Sequence, residues 1–283
     1  MTKSLNNIQL NSVRNTDLKQ TELSILINLD GFSFCIYALP KKQPIVFQRF
    51  KFKEKATTPE RLLNKIEYIF SENEFLKESF NKVTVVHQNE LATLVPTVLF
   101  DENNLKHYLK NSVKVLPMDF ISFEKNDTLD ATTVYIPFVN VNNFLLNHYG
   151  SFEYYHCFSK LTELLKNEDL NSTKDKIYVH VNKNNFELLA FKSNQLKVIN
   201  RFEFKTPEDF IYYILFVAEQ YDFDTEDVQL TLLGDIIKES DLFDILFKYV
   251  RNIEFWTTNI ESKEGFKELP QHSNFILLNQ HLI

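Results

Sequence analysis

Glycine is nearly missing from this chain: Gly31, Gly150, Gly234 and Gly265 are the only four in 283 residues. A backbone that must approach a phosphate closely needs positions without a Cβ, so any such site has to be built around those four. Cysteine is scarce as well. Cys35 and Cys157 lie far apart and neither sits in a C-x-x-C pair, which excludes a disulfide framework or a zinc ribbon and fits a reducing compartment. No stretch approaches the roughly 18 consecutive apolar residues of a membrane-spanning helix. The N-terminal stretch MTKSLNNIQLNSVRNTDLKQ is polar and lacks the apolar core of a secretory signal. Charge of one sign is never concentrated: the net charge of -7 is spread along the chain. Nucleic-acid binding needs a focused Lys/Arg face, so no nucleic acid is expected. The reading is a cytoplasmic protein without a membrane span.

Aromatics are abundant, with 27 Phe and 12 Tyr, and 44% of residues are hydrophobic against 24% charged. That is the balance of a soluble protein with a real core, and the length suits two domains. The stretch IVFQRFKFKEKATTPERL, Ile45–Leu62, has a partner in KVINRFEFKTPEDF, Lys197–Phe210. Setting Ile25–Lys53 against Ile177–Lys205 without a gap matches Phe34 with Phe186, Arg49 with Arg201 and Phe52 with Phe204. After Glu54–Thr57, Thr58-Pro59-Glu60 resumes against Thr206-Pro207-Glu208. This pattern reads as an internal duplication.

Each copy opens with three strand-like runs joined by short connections, an antiparallel meander. Phe50 and Phe52 share one face, Arg49 and Lys51 the other, as in a half-buried strand. A helix then begins in each copy. Thr58 and Thr206 are suited to cap it, Pro59 and Pro207 fit the first turn, and Glu60 and Glu208 favour the positive dipole end. Phe210–Ala218 is apolar on all sides, which predicts burial between layers. The runs KVTVVHQ and VQLTLLGD follow as buried strands, then amphipathic segments at Leu105–Leu109 and Ile236–Val250, with RNIEFW as a closing strand. Asp235, Glu239, Asp241 and Asp244 read as a solvated face of a helix starting near Asp235.

The order β-β-β-α-β-α-β is that of the ribonuclease-H-like fold. The fold class is α/β: two ribonuclease-H-like domains that resemble the actin-like ATPase arrangement of the actin, sugar kinase and heat-shock chaperone superfamily. The expected division is a flexible tail over 1–20, a first domain over 21–170 and a second over 175–283. The first includes an added strand-helix-strand-helix piece near 132–166, similar to one in the actin-like proteins of type IV pilus and type II secretion machines. The segments LSILINLDGFSFCIYAL, LATLVPTVLFDENNLKHYL, VYIPFVNVNNFLLNHYGSFEYYH, DFIYYILFVAEQ and LTLLGDI together resemble bacterial domain-of-unknown-function family 3822. The resemblance brings an actin-like fold and no catalytic residues.

That fold implies nucleotide between the two halves, with phosphates on two hairpin turns and a glycine pair near the adenosine. The positions that match are Asp30, Gly31 and Ser33 in the first turn, Lys183 in the second, and Gly234 with Asp235 after LTLLGDI. Asn182 is read as the counterpart of Asp30, and the second turn has no glycine. The bland readings are a hairpin turn for Asp30-Gly31 and a glycine joint with a helix cap for Gly234-Asp235. His148, His156, Cys157 and His180 fit no zinc signature, and no P-loop, G-x-S-x-G or H-E-x-x-H occurs. No catalytic residue, metal or cofactor is therefore assigned. The function expected is a non-catalytic actin-like scaffold that binds another protein. The alternative is a weak or atypical ATPase using ATP with Mg in the interdomain cleft.

Overall fold

Alternating apolar residues in TELSILIN and GFSFCIYA give two strands, β2 (Thr21–Asn28) and β3 (Gly31–Ala38), that pair antiparallel around a two-residue turn. The structure, a computed structural model, describes residues 3–9, 20–110, 113–126, 129–168, 174–257, 266 and 269–280. Strand β4 (Gln43–Lys51) adds antiparallel to β3, and helix α1 (Pro59–Glu72) follows from the Thr58 cap, whose hydroxyl accepts from Arg61 N–H. Strand β5 (Lys82–His87) then lies parallel to β2. Leu23, Ile25, Ile27, Phe32 and Phe34 form one side of this core, and Leu62, Ile66 and Phe70 of α1 meet them.

The second copy repeats this plan. Strands β10 (Lys176–Val181), β11 (Asn185–Lys192) and β12 (Gln195–Glu203) form the meander. Helix α5 (Pro207–Gln220) starts in a capping box: Thr206 accepts from Asp209 N–H while the Asp209 carboxylate accepts from Thr206 N–H. Strand β13 (Gln229–Gly234) runs parallel to β10, helix α6 (Asp241–Phe247) follows, and β14 (Asn252–Phe255) closes the sheet parallel to β13. The order across the second sheet is β12-β11-β10-β13-β14.

The first sheet keeps that order but reaches its fifth strand by a detour. Between β5 and the next helix lies a separate antiparallel sheet, β6-β8-β7, made of β6 (Ala92–Pro96), β7 (Ser122–Asn126) and β8 (Ala131–Tyr135). The short helix α2 (Leu105–Lys110) belongs to it, and Val95, Leu109, Val134 and Ile136 make its small core. Helix α3 (Val139–Tyr149) then places Val141 and Leu145 in the main core, and β9 (Glu153–His156) pairs parallel with β5. Two expectations are thereby corrected. The repeat's second helix in copy one is α3, not Leu105–Leu109. The extra piece is the three-stranded sheet, while most of 132–166 belongs to the repeat. A short amphipathic run looks alike in either role, and only the pairing of β9 with β5 separates them.

The expected tail over 1–20 contributes a strand. Lys3–Gln9, β1, pairs antiparallel with β4, while 10–19 lie outside the described residues. A register shift between Leu5 and Asn7 breaks the two-residue alternation that would have revealed it. The chain divides into two compact units: Met1–Leu161 with Glu264–Phe266 and Ile276–Ile283, and Thr162–Lys263 with Lys267–Phe275. The boundary thus falls inside helix α4 (Cys157–Glu168) and not near 170, and the last residues leave the second unit. A helix across the boundary carries no linker composition to mark it.

The duplication is visible in matching pairings, with one correction to its register. Asn28 pairs with Gly31 across the first turn, and Asn182 N–H closes on Asn185 O in the second. Phe52 N–H then donates to Asp30 O, and Phe204 N–H to Asn184 O. Asn184, not Asn182, is therefore the counterpart of Asp30. The ungapped match slips by two residues over the first two strands because residues 39–42 connect β3 to β4, whereas only Ser193 and Asn194 connect β11 to β12. Arg49 and Arg201 do correspond, lying opposite Ser33 and Glu187.

Helix α5 is not buried all round. Phe210, Ile211, Ile214, Val217 and Ala218 face the core, but Tyr212 and Phe216 are exposed. Replacing Ile214 by Asp should cost about 4 kcal/mol, since an unpaired charge enters the core. Tyr212→Asp should change stability by less than about 1 kcal/mol. Denaturant melts of both variants check this, and equal losses would show that the helix faces have been misassigned.

Candidate functional site

The residues singled out for phosphate binding occupy the ends of the central strands, one set per unit. In the first unit, Asp30 N–H donates to Asn28 Oδ1 at 3.0 Å, forming a local side-chain turn. Asn28 Nδ2 donates in turn to Gln88 Oε1 at 3.1 Å. The turn's carbonyls are also engaged: Leu29 O accepts from Ala56 N–H at 2.7 Å and Asp30 O from Phe52 N–H at 2.8 Å. Gly31 has a structural reason of its own. A Cβ there would sit 2.7 Å from Phe50 O on the neighbouring strand. The missing side chain makes room for β4. Ser33 is buried on β3, opposite Arg49.

In the second unit the turn is Asn182–Asn185. Asn182 Nδ2 donates to Asn185 Oδ1 at 3.1 Å and to Glu187 Oε2 at 2.8 Å. Lys183 is exposed at the tip. The turn holds itself with amide side chains where a phosphate-binding turn would leave open backbone donors.

Gly234 ends β13 with a φ of +83, and a Cβ there would run into Val181 O. Its N–H donates to His272 O at 2.7 Å, and Asp235 N–H donates to Val181 O at 2.7 Å. His272 Nε2–H reaches Ile236 O at 2.8 Å. Burial, partly offset by that hydrogen bond, keeps the imidazole's pKa below its ordinary value. Asp235 caps no helix: α6 starts at Asp241 on Ser240, whose hydroxyl accepts from Phe243 N–H. The expected helix start near Asp235 is corrected to Asp241, because a turn spans the residues between.

The first unit's counterpart of Gly234 is His87, since Ile27 pairs with His87 as Val181 pairs with Gly234. His87 is fully buried, and burial takes its pKa down to about 4, leaving it neutral. Its ring lies edge-on to Phe138 and Tyr154 at 5.5 and 5.9 Å. A neutral imidazole fills the place of a glycine.

Sequence reasoning missed a buried charge network. Glu187, without solvent exposure, accepts from His180 Nδ1–H at 2.8 Å and Asn182 Nδ2 at 2.8 Å, and pairs with Arg201 at 3.3 Å. Burial alone would raise its pKa, but the His180 hydrogen bond and the Arg201 charge bring it down to about 2. The signal was available. His180, Glu187 and Arg201 alternate with core residues on three adjacent strands, so all three share the face opposite Val179, Phe186 and Phe202. In the first unit Ser33 holds the place of Glu187, opposite Arg49.

Among the described residues, no group of three His, Cys, Asp or Glu side chains is arranged to hold a metal ion. His148 bonds Leu76 O, and His156 sits beside Glu124 and Asn89. The first unit has a polar cavity of about 460 Å³ lined by Lys77, Lys82, His148, Tyr149, Phe152 and Glu153. It lies at the start of β5, the opposite end of the sheet from the Asn28–Gly31 turn.

Residues 11–253 match the family described as protein of unknown function (DUF3822). The chain belongs to this family. No curated protein matches its sequence. Its structure is similar to a Bacteroides thetaiotaomicron VPI-5482 protein with an actin-like ATPase fold and unknown function. The TM-score is 0.81 at 22% identity, covering 94% of this chain and 97% of that one. It is also similar to a chain of the PilM-PilN type IV pilus biogenesis complex, with a TM-score of 0.59, 11% identity, and 91% and 96% coverage. The fold is thus that of actin-like ATPases, in a family whose function is unknown.

Two expected outcomes follow from the site. Gly234→Ala should cost about 3 kcal/mol from the carbonyl clash and the positive φ. Gly150→Ala, at a φ of +78 with open space around it, should cost about 1 kcal/mol; thermal melts of the two compare them. For Glu187, the folded pKa of about 2 lies below the unfolded value of about 4.3. Its stabilisation is therefore present above pH 5 and is lost as pH falls towards 2. Glu187→Gln should cost about 3 kcal/mol at pH 7, by leaving Arg201 buried without a counter-charge. Denaturation at a series of pH values should show that gap closing below pH 4.

Proposed function

We propose that this protein is a non-catalytic actin-like scaffold that binds another protein, carries a degenerate nucleotide site and needs no cofactor. One observation carries the reading. Asp30 N–H at the first turn and Gly234 N–H are bonded within the chain, the second turn has no glycine, and the space beside Gly31 and Gly234 is taken by the chain's own carbonyls. A phosphate nest requires several backbone N–H groups left open and converging. Lys183 offers one flexible ammonium, which is no substitute for shaped donors.

A protein partner is supported by the fold neighbour solved within the PilM-PilN complex and by the exposed aromatics on α5. The spread negative charge speaks against nucleic acid. No helix among the described residues is long and apolar enough to cross a membrane, and the scarcity of cysteine supports a cytoplasmic setting. The competing reading is an atypical ATPase that binds ATP with Mg through Asp30, Gly31, Ser33, Lys183, Gly234 and Asp235.

Calorimetric titration with Mg-ATP and Mg-ADP separates the two. The scaffold reading expects no hydrolysis above background and affinity no tighter than about millimolar, roughly -4 kcal/mol. Micromolar Mg-ATP binding that disappears in Asp30→Ala would overturn it.

A further inference from the structure

The net charge of -7 conceals an uneven distribution, which corrects the even spread read from the sequence. Residues 206–247 hold eleven carboxylates, and Lys238 is their only Lys or Arg. Strands β12, β13 and β14 all point the same way as β10. Helices α5 and α6, which connect them, therefore both run back against the sheet, side by side on one core. On their outer faces stand four exposed carboxylates, Glu208 and Glu219 on α5 and Asp241 and Asp244 on α6. The cations nearby do not balance them. Lys205 stands beside Asp209 at the start of α5. Arg251 pairs with Glu226 at 3.1 Å, and Lys192 Nζ is held by the carbonyls of Tyr221 and Asp222. Lys238 and Lys248 flank α6, where Glu239, Asp241 and Asp244 outnumber them. Among the described residues no cation pairs with Glu208 or Glu219.

A second, independent feature lies on the same helix. Glu208, Tyr212, Phe216 and Glu219 follow one another at helical spacing and form one exposed stripe of α5. Tyr212 and Phe216, 60% and 47% exposed, stack at 6.3 Å in the middle of it. The apolar surface continues through Tyr213, which meets Tyr212 at 5.3 Å and stacks on Phe202 at 4.8 Å. A contiguous apolar patch with a polar rim marks an interaction surface. Here the rim is carboxylate at both ends. The equivalent stripe of α1, counted from Thr58, is Glu60, Asn64, Tyr68 and Ser71. It keeps one aromatic and one carboxylate, and Arg61 and Lys65 stand beside it.

We propose that the outer face of α5 docks a cationic amphipathic helix of a partner protein. Two apolar side chains of that helix meet Tyr212 and Phe216, and Lys or Arg residues on either side of them meet Glu208 and Glu219. The two glutamates stand roughly 16 Å apart along the helix axis, so a partner helix of about three turns spans them. Its apolar residues at i and i+4 fall on one face, as the aromatic pair requires. The apolar contact supplies affinity, as in other complexes where a helix lays its apolar face on a partner. The carboxylate rim selects the sign of the partner, because an acidic helix would set like charges against Glu208 and Glu219. The surplus on α6 adds to that field. The inference rests on the scaffold reading for its kind of partner, but not on the state of the nucleotide site.

The test uses the full chain and fluorescence anisotropy with three labelled helical peptides of one design. The first has two leucines at i and i+4 flanked by lysines, the second has glutamates for the lysines, and the third has serines for the leucines. The first should bind about tenfold more tightly than either of the others. Glu208→Lys together with Glu219→Lys should turn the preference towards the glutamate peptide. Phe216→Ser should weaken binding of the first peptide by about tenfold. Either variant alone decides the outcome should the other not fold. Glu67→Lys with Glu72→Lys on α1 makes the same change in net charge and should leave binding within about twofold. No binding of the first peptide, equal binding of all three, or an equal loss in the α1 variant would overturn the proposal. So would dimerisation that Phe216→Ser abolishes in a chain that binds no peptide, since a second copy would then cover the stripe. Micromolar Mg-ATP binding would overturn the scaffold reading instead, whereas peptide failure without nucleotide binding would remove this surface and leave that reading in place.

Discussion

Each sheet turns from hairpin to parallel pairing at one contact, where a carbonyl at the end of its central strand meets the residue after the neighbouring parallel strand. Ile27 O accepts from Gln88 N–H at 2.9 Å in the first unit, and Val181 O from Asp235 N–H at 2.7 Å in the second. This bond sets how closely the parallel strand approaches and where the adjacent turn sits. In the second unit the approach is so close that only Gly234 fits beside Val181 O. In the first unit the equivalent position holds His87, whose ring meets Phe138 and Tyr154.

The consequence for chemistry is steric before it is electrostatic. A turn that binds phosphate must leave its N–H groups without internal partners. Here Asp30 N–H is held by Asn28, Asn28 by Gln88, and both turns are tied to the chain after the third strand through Phe52 and Phe204. Opening any one of these would cost about 1 kcal/mol net, and several would have to open together. The buried Glu187 carboxylate makes the second turn harder still to rearrange, because Asn182 is both a turn residue and one of its hydrogen-bond donors.

Much of the architecture was legible because strand patterns tolerate error in one particular way. The ungapped repeat was two residues out over the first hairpin, and a slip of two leaves every side chain on the same face. Ile25 and Ile177 therefore both belong to the core although they are not equivalent. What depends on exact position was lost: Asn182 was read for Asn184 because the difference in loop length between 39–42 and Ser193-Asn194 leaves no hydrophobic signal. The inserted sheet was hidden for a related reason. Leu105–Leu109 has the spacing of a core helix and does bury Leu109, but in a small core of its own. The T-P-E caps were read correctly because a helix start is local chemistry. Gly234 was read as a glycine joint, and its positive φ at the end of β13 agrees, but the carbonyls of Phe50 and Val181 that crowd Gly31 and Gly234 come from distant strands and left no local signal.

Two copies in one chain also allow a comparison that needs no other sequence. What both retain is what the fold requires: the capped helices of equal length, the backbone tie after the third strand, and the strand-end carbonyl contact. What only one possesses is dispensable for folding, because the other copy folds without it. Among the described residues, the second unit builds its sheet with no inserted sheet and no covering strand. The first builds its own with Ser33 in the place of Glu187. The phosphate-type positions follow neither rule. They differ between copies, as His87 differs from Gly234 and Gly31 from Asn185, and these four are packed or paired within their own units. What survives at both turns is the backbone tie to the chain after the third strand, made by Phe52 N–H on Asp30 O in one unit and by Phe204 N–H on Asn184 O in the other.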